Sequence, residues 1–462
     1  MIWTKEQIEI ALSLKFQGNN TGYGKVQFNS QNVEEGDLFI ALPGQRDGHE
    51  FVEDAIKNGA SAAIVSKDIA NVSQDKLIKV QNTPEALVLL ANYKRSISKA
   101  KIIAITGSVG KTSTKEAVRI MLSHYGKVHA SYGTFNNSLG VSLTLASIPD
   151  DADYAVVEMG MNAKGELKEL SKQAKPDVAL ITAVSEGHLE FFDSVEGIAD
   201  AKCEIFQGLD KSKGIAIINR DMDVYDRCIR NINDLKLSNI QTFGKHKESD
   251  MKFVSYEVME DHTTRLLYEV ASNRIEILMD YILPMHLAEN FAAAFSVVKA
   301  LNLDLEVAAS AIQEFRTVQG RGCLESLSHN GKSFRIICDY YNSNPQSLKA
   351  SLEHLAQFVD ESKIAVLGNM AELGSREAEL HKDIVPYIIS SGVTKLFLVG
   401  DAMAKIKGLF PENISVKCYL NVDELISEID SHIDGSELIL IKGSRGMRLD
   451  QLAKHWGMKN VL

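Results

Sequence analysis

One stretch limits the folds open to this chain more than any other: Lys101-Ile-Ile-Ala-Ile-Thr106-Gly107-Ser108-Val109-Gly110-Lys111-Thr112-Ser113. Its apolar, β-branched start reads as a buried strand, the glycines mark a tight turn, and Thr114-Lys-Glu-Ala-Val-Arg-Ile-Met-Leu122 reads as a helix. Strand, glycine turn and helix in that order make a phosphate-binding loop. Backbone N–H groups and the helix N-terminus favour phosphate oxygens, Lys111 adds a point charge, and Thr112 can ligate Mg2+. The spacing departs from the general pattern: five residues before Gly110 stands Ile105 where a glycine is usual, so the fixed positions read Gly-x-x-Gly-Lys-Thr.

Such a loop belongs to an α/β architecture with a parallel sheet, and the surrounding sequence supplies one. Apolar runs at Ile102–Thr106, Tyr154–Met159, Val178–Val184 and Gly214–Asn219 read as parallel strands with helices between several of them. A second alternating series follows, with strands expected at Phe334–Cys338, Lys363–Leu367, Lys395–Val399 and Glu437–Ile441. Helices are expected between them at Ser347–Phe358, Arg376–Ile389 and Val422–Ile429. Before the loop, Asp37–Leu42, Phe51–Gly59 and Ala62–Ser66 read as strand, helix and strand. At ~150 residues per domain, 462 residues suit three domains. These are a small N-terminal α/β domain over 1–97, a central P-loop domain with a parallel sheet over 98–314, and a C-terminal Rossmann-like domain over 315–462.

A net charge of −11 argues against a nucleic-acid or anionic-membrane partner. Cys203, Cys228, Cys323, Cys338 and Cys418 are scattered and lack metal-ligand spacing, which suits reduced, mostly buried thiols in a cytoplasmic protein. The amphipathic start, Met1-Ile-Trp-Thr-Lys-Glu-Gln, is not a signal peptide, and no apolar run is long enough to span a bilayer.

Ligands of such sheets gather at the carboxyl ends of the strands, and several reactive side chains fall there. Glu158 ends a strand and is a Mg2+-ligand candidate; alone, it is equally a solvent-facing acid. His188, just past the next strand, can ligate a second cation or orient a carboxylate, or be a plain surface histidine. Lys202 sits among small and apolar residues, where a lowered pKa lets a lysine take up carbon dioxide as a carbamate; otherwise it is a solvated helix lysine. Asn136 and Asn137, in a glycine-bounded loop, suit sugar, phosphate or peptide recognition or a simple turn. Arg46 and His49, in Pro43-Gly-Gln-Arg-Asp-Gly-His49, can hold a polar ligand. In the last domain Asp339, Asn342 and Asn344 end a strand where ribose hydroxyls or metal-bound phosphate can bind. Arg321, in Gln319-Gly-Arg-Gly322, can reach a γ-phosphate when domains close, and Ile441-Lys-Gly-Ser-Arg-Gly446 looks like an anion-binding turn.

Taken together, the Thr106–Thr112 loop, Asn136-Asn137 with Gly140, Glu158, His188, Lys202, Asn290 and Arg321 resemble the Mur ligases, the ATP-dependent amide-forming enzymes of peptidoglycan synthesis. The resemblance covers essentially the whole chain. Asp339-Tyr-Tyr-Asn-Ser-Asn-Pro345, Leu367-Gly-Asn-Met-Ala-Glu-Leu-Gly374 with His381, and Lys442-Gly-Ser-Arg-Gly-Met447 are similar to the member that joins D-alanyl-D-alanine to UDP-N-acetylmuramoyl-tripeptide. The family usually has Asp-Ser-Arg where this chain has Asn29-Ser30-Gln31, and a His-Asn pair where it has His286-Leu287.

The resemblance implies ATP and Mg2+ as cofactors, an acyl-phosphate intermediate, a monomer, and no nucleic-acid partner. It implies that residues Thr106 to Ser113 and Lys111 bind phosphates, that Thr112 and Glu158 hold one Mg2+, and that His188 and carbamylated Lys202 hold a second. Asn290 is implied near the adenine, Arg321 at the phosphates, and Asp339 and Asn342 on the ribose side. Ser30, Arg46, Asn136 and Asn137 are implied at the nucleotide-sugar. Two other readings compete. One is a related ligase of folylpolyglutamate or cyanophycin type; the other is a P-loop nucleotide switch that makes no bond.

Overall fold

The computed structural model describes residues 1–459 apart from 19, 134, 187–189, 272 and 360. It has α/β architecture built on three main sheets. The first is a four-stranded parallel sheet in chain order, Val26–Gln27, Leu38–Ile40, Ala62–Val65 and Leu77–Lys79. Two of its strands are entirely buried, as continuous apolar runs in a parallel sheet require.

The central sheet has nine strands, in the order Asn273–Met279, Thr264–Val270, Met251–Val258, Asn239–Gly244, Ile215–Asn219, Val178–Ile181, Lys101–Thr106, Tyr154–Glu158 and Val128–Ala130. The strands from Val128–Ala130 to Met251–Val258 run parallel, while the remaining pairings, out to Asn273–Met279, are antiparallel. Their residues alternate buried and exposed, the signature of a sheet with one wet face. The phosphate-loop strand lies inside the sheet, with Ile105 opposite Glu158 on one side and Thr106 opposite Ile181 on the other. That register brings the carboxyl ends of three strands to one edge.

The third sheet has six strands, in the order Cys323–His329, Lys332–Asp339, Leu438–Lys442, Lys363–Gly368, Lys395–Val399 and Ser415–Tyr419. Only the first pair is antiparallel. Apolar cores lie on both faces, one around Leu348, Leu352 and Leu398, the other around Ile336, Ile441 and Trp456.

The expected single helix over Arg376–Ile389 is two, Glu377–Asp383 and Val385–Ser390. Pro386 has no N–H to continue the ladder and suits the first turn of a new helix. The first two domains share one continuous core, in which Trp3, Ile8 and Leu87 join Val141, Leu145 and Ala155. Trp3 Nε1 donates to Ala146 O at 2.8 Å, and the Lys94 ammonium reaches Asp150 at 2.6 Å. No described helix is long and apolar enough to cross a membrane. All five cysteines are free thiols, four of them buried.

Candidate active site

The loop after Thr106 folds as its glycines require. Gly110 has φ +82°, and a Cβ there would lie 2.6 Å from Asn290 Oδ1; at Gly107 a Cβ would overlap Thr182 Oγ1. The loop is braced from the neighbouring strand's end: Ser108 N donates to Ala183 O at 2.8 Å, and Thr182 Oγ1 donates to Val109 O at 2.6 Å. Gly110 caps the helix Lys111–Ser123 without any side-chain hydrogen bond, so its first-turn N–H groups have no capping side chain. With the helix dipole, that makes an anion site.

Lys111 Nζ rests on Gly107 O at 2.6 Å and Ser108 O at 3.5 Å. Burial pushes its pKa down; Glu158 and Glu372 oppose that shift, while Arg321 adds to it. An under-solvated cation beside a second cation gains on meeting a polyanion. Arg321, on the loop bounded by Gly320 and Gly322, stacks its guanidinium 4.4 Å from the centre of the Tyr341 ring. The structure therefore brings the C-terminal domain's arginine to the central domain's lysine.

Glu158 is wholly buried. Thr112 Oγ1 donates to its Oε2 at 2.9 Å, Asn136 Nδ2 donates to its Oε1 at 2.9 Å, and its own N–H bonds Ser131 Oγ at 3.0 Å. A hydroxyl and a carboxylate at the loop's mouth form an all-oxygen donor set, which fits Mg2+. The Thr106 and Ser185 hydroxyls are buried without a partner among the described residues. Ser113 is also buried, on the helix's first turn.

Lys202 is 1% exposed on the helix Val195–Cys203. Burial drives its pKa well below the usual lysine value, and Lys111 adds to the drop. Among the described residues no carboxylate contributes to that shift. That shift favours the neutral, nucleophilic form of the amine, the form that combines with carbon dioxide. His188 lies outside the described residues. Two described residues nearby in sequence contact the C-terminal domain: Glu186 pairs with Arg376, and Glu190 N donates to Glu372 O at 3.2 Å.

Ser30, Arg46 and Asn137 line one cavity of about 670 Å3 with Asn29, Gln31 and Phe51 from the first domain and Phe135 and Leu139 from the second. Arg46 stacks 4.3 Å from the Phe51 ring, and Phe28 meets Phe135 edge-on at 5.0 Å. Asn137 also caps the helix Ser138–Ala146 through its Oδ1. His49 does not join the cavity. Its Nδ1 bonds Asp47 at 2.6 Å and its Nε2 accepts from Ser66 N at 2.9 Å, so it is a structural link from its loop to the end of the strand Ala62–Val65.

Asp339 Oδ2 accepts from Lys442 Nζ at 2.7 Å and from Ser351 Oγ at 2.5 Å. Lys442 is buried and turned inward, so the reading of Ile441–Gly446 as an anion-binding turn does not hold for its ammonium. Asn342 bonds Ser343 N through its Oδ1, and Asn290 packs its amide against Gly110. Lys115 escaped the sequence, and His286 is marked there only as part of a departure from the family's His-Asn pair. Lys115, 1% exposed, binds Ser131 O at 2.8 Å and Gly133 O at 2.9 Å, clamping the loop helix to the segment that bears Asn136. His286, half-buried and with a buried Nδ1 that has no partner among the described residues, feels the charges of Asp339 and Lys442. A lysine inside a loop helix looks like any solvated lysine, and no local pattern marks Lys115.

Known proteins resemble this chain along most of its length. Three family models match: the Mur ligase middle domain over residues 105–298, the Mur ligase glutamate ligase domain over 324–445, and the catalytic domain of the Mur ligase family over 23–95. A UDP-N-acetylmuramoyl-tripeptide--D-alanyl-D-alanine ligase of Rickettsia prowazekii is 44% identical over 456 residues, 99% of this chain and 100% of that protein. The crystal structure of MurF from Acinetobacter baumannii has a TM-score of 0.79 at 27% identity, covering 98% of each chain. The MurF ligase from Thermotoga maritima, in complex with ADP, has a TM-score of 0.76 at 26% identity over 94% of this chain and 97% of that one.

Proposed function

This chain belongs to the Mur ligase family, and we propose that it joins D-alanyl-D-alanine to the free carboxylate of UDP-N-acetylmuramoyl-tripeptide at the expense of ATP, a step in making peptidoglycan precursors. The observation that carries this reading is the hydrogen-bonded run Asn136–Glu158–Thr112, which ties the edge of the large cavity to the phosphate loop. A nucleotide-sugar in that cavity, lined by Ser30, Arg46 and Asn137, extends its peptide toward the phosphates.

A carboxylate is a poor acyl donor and must be activated. The tripeptide carboxylate takes the γ-phosphoryl group of ATP. The amine of D-Ala-D-Ala then displaces phosphate from the acyl phosphate, leaving amide, ADP and inorganic phosphate. Lys111 and the loop N–H groups hold the phosphates and meet the charge that builds on them. Arg321 comes from the other domain and helps exclude water, which would otherwise hydrolyse the acyl phosphate. Mg2+, held by Thr112 and Glu158, supplies positive charge at the transferring group when bound.

Lys202 as its carbamate would turn a lone buried amine into an oxygen ligand for a second ion, with His188 as the companion ligand. Asn290, Asp339 and Asn342 are assigned to the nucleoside side, and Lys442 fixes the Asp339 carboxylate there. The domain limits are placed at 97/98, where the helix Thr83–Ile97 ends, and at 314/315, after the helix Leu305–Ile312. The enzyme is assigned to the cytoplasm as a monomer.

ADP release measured with UDP-N-acetylmuramoyl-tripeptide, with and without D-Ala-D-Ala, tests the reading. Release that needs both substrates is expected. Release that needs neither would make the protein a nucleotide switch, and release that responds instead to a folate and glutamate would make it a different ligase.

A further inference from the structure

At the hairpin end of the third sheet, three side chains converge that the ligase reaction does not use. His329 ends the strand Cys323–His329, Asp430 follows the helix Val422–Ile429, and His455 ends the last helix, Asp450–His455. His329 Nε2 lies 3.0 Å and His455 Nε2 3.2 Å from the same Asp430 oxygen, Oδ2, and the ligand atoms of all three residues lie within 4.8 Å of one another. The two rings sit 5.0 Å apart. The strand register puts this cluster at the His329–Lys332 turn, six pairs from Cys323–Cys338, or about 20 Å along the strand from the Asp339 edge.

We propose that His329, Asp430 and His455 form a binding site for a borderline divalent transition metal ion, Zn2+ first among them, separate from the nucleotide's Mg2+. Two imidazole nitrogens aimed at one carboxylate oxygen need positive charge between them. If both nitrogens carry protons, two hydrogen bonds supply it. If they present lone pairs, one metal ion replaces both protons and joins all three ligands. Two nitrogen donors with one oxygen suit Zn2+, Co2+ or Ni2+ and disfavour Mg2+ and Ca2+, which take oxygen ligands. The spacing is near what such an ion requires: with bonds of about 2.0–2.1 Å, the edge of a tetrahedron is about 3.4 Å.

The carboxylate is also held in place. Trp456 Nε1 donates to Asp430 Oδ1 at 3.1 Å and Asn330 Nδ2 donates to Oδ2 at 3.2 Å, the outer-shell support that orients a ligand. Lys332 brings a cation close, but its ammonium binds the backbone oxygens of Asp430 and Ile433. The side chains of His329, Asp430 and His455 are 23%, 32% and 29% exposed, so an ion has a way in. The ion would fasten the hairpin and the last helix to the end of the helix Val422–Ile429.

The test uses the full chain freed of metal with a chelator and then dialysed against buffered Zn2+ with excess Mg2+ present. The wild type is expected to hold one Zn2+ per chain more than the His329→Ala/His455→Ala variant. Any Zn2+ that enters the ligase centre is common to both and cancels. With Co2+, the wild type should show a visible ligand-field band that the variant lacks. Asp430→Asn should weaken Zn2+ by at least about 10-fold. Retained ADP release shows that the variant is folded; if it is not, His455→Gln, which still bonds Asp430, takes its place. Equal Zn2+ content in wild type and variant, or an unchanged Co2+ spectrum, overturns the proposal.

Discussion

Glu158 accepts from two side chains with different tasks, Thr112 of the phosphate loop and Asn136 of the segment that leads into the large cavity. Removing its charge while keeping its shape separates metal binding from packing. Glu158→Gln is expected to fold normally and to lose at least about 100-fold in kcat, with a raised Mg2+ requirement in a titration of ADP release. Unchanged Mg2+ dependence would remove the ligand assignment. Lys202→Ala should abolish turnover, and short-chain carboxylic acids should restore part of it by standing in for the carbamate; full activity without them would sink the carbamate. The sequence made both residues legible as candidates, because a strand-end acid beside a phosphate loop has few other uses. It did not show the burial of Lys202. A helix lysine among alanines has the same local pattern in solvent or in a core, and only packing against distant elements decides which.

At the scale of elements, the phosphate loop was readable because its glycines answer to local backbone geometry. Gly110→Ala must adopt φ +82° and brings a Cβ to 2.6 Å from Asn290 Oδ1. The left-handed backbone alone costs about 1–2 kcal/mol for an alanine. ADP affinity, measured by calorimetry, should fall about 10-fold or more, and adding Asn290→Ala should recover only the part due to the clash. Wild-type affinity in Gly110→Ala would show that the turn is not rigid. The antiparallel strands over 251–279 were not anticipated, although Asn273-Arg-Ile-Glu-Ile-Leu-Met279 alternates with period two. The same holds for the break at Pro386, which a periodic apolar pattern runs across. Pairings such as Asp339 with Lys442, 103 residues apart, leave no trace in either segment.

At the scale of the whole molecule, two predictions concern how the parts hold together. Arg376 and Glu186 link the C-terminal and central domains, with side chains 41% and 34% exposed. So wet a pair contributes little to stability, under about 1 kcal/mol, so Arg376→Ala should leave the melting temperature nearly unchanged. It should instead loosen domain docking, seen as a larger radius in small-angle scattering and a raised KM for ATP. The second prediction is acid lability. Burial holds His129, His286, His354 and His381 below the ordinary imidazole pKa, His354 at about 3. Near pH 6.5, roughly, the unfolded chain begins to bind protons that the folded chain refuses, so stability is whole above that pH and declines as pH falls toward the folded values. For His354 the full effect is on the order of 5 kcal/mol. Urea midpoints should drop between about pH 7.5 and about pH 4.5, and drop less in His354→Gln. Equal slopes for the two proteins would count against it. Lys115 carries a consequence of another kind. It locks the loop helix to the segment that supplies one wall of the large cavity, while the first domain supplies the other. On the proposed function, substrate choice is then shared by two domains and is not the property of one exchangeable module. Recombination between relatives at the proposed boundary after residue 97 would hand over half of that cavity.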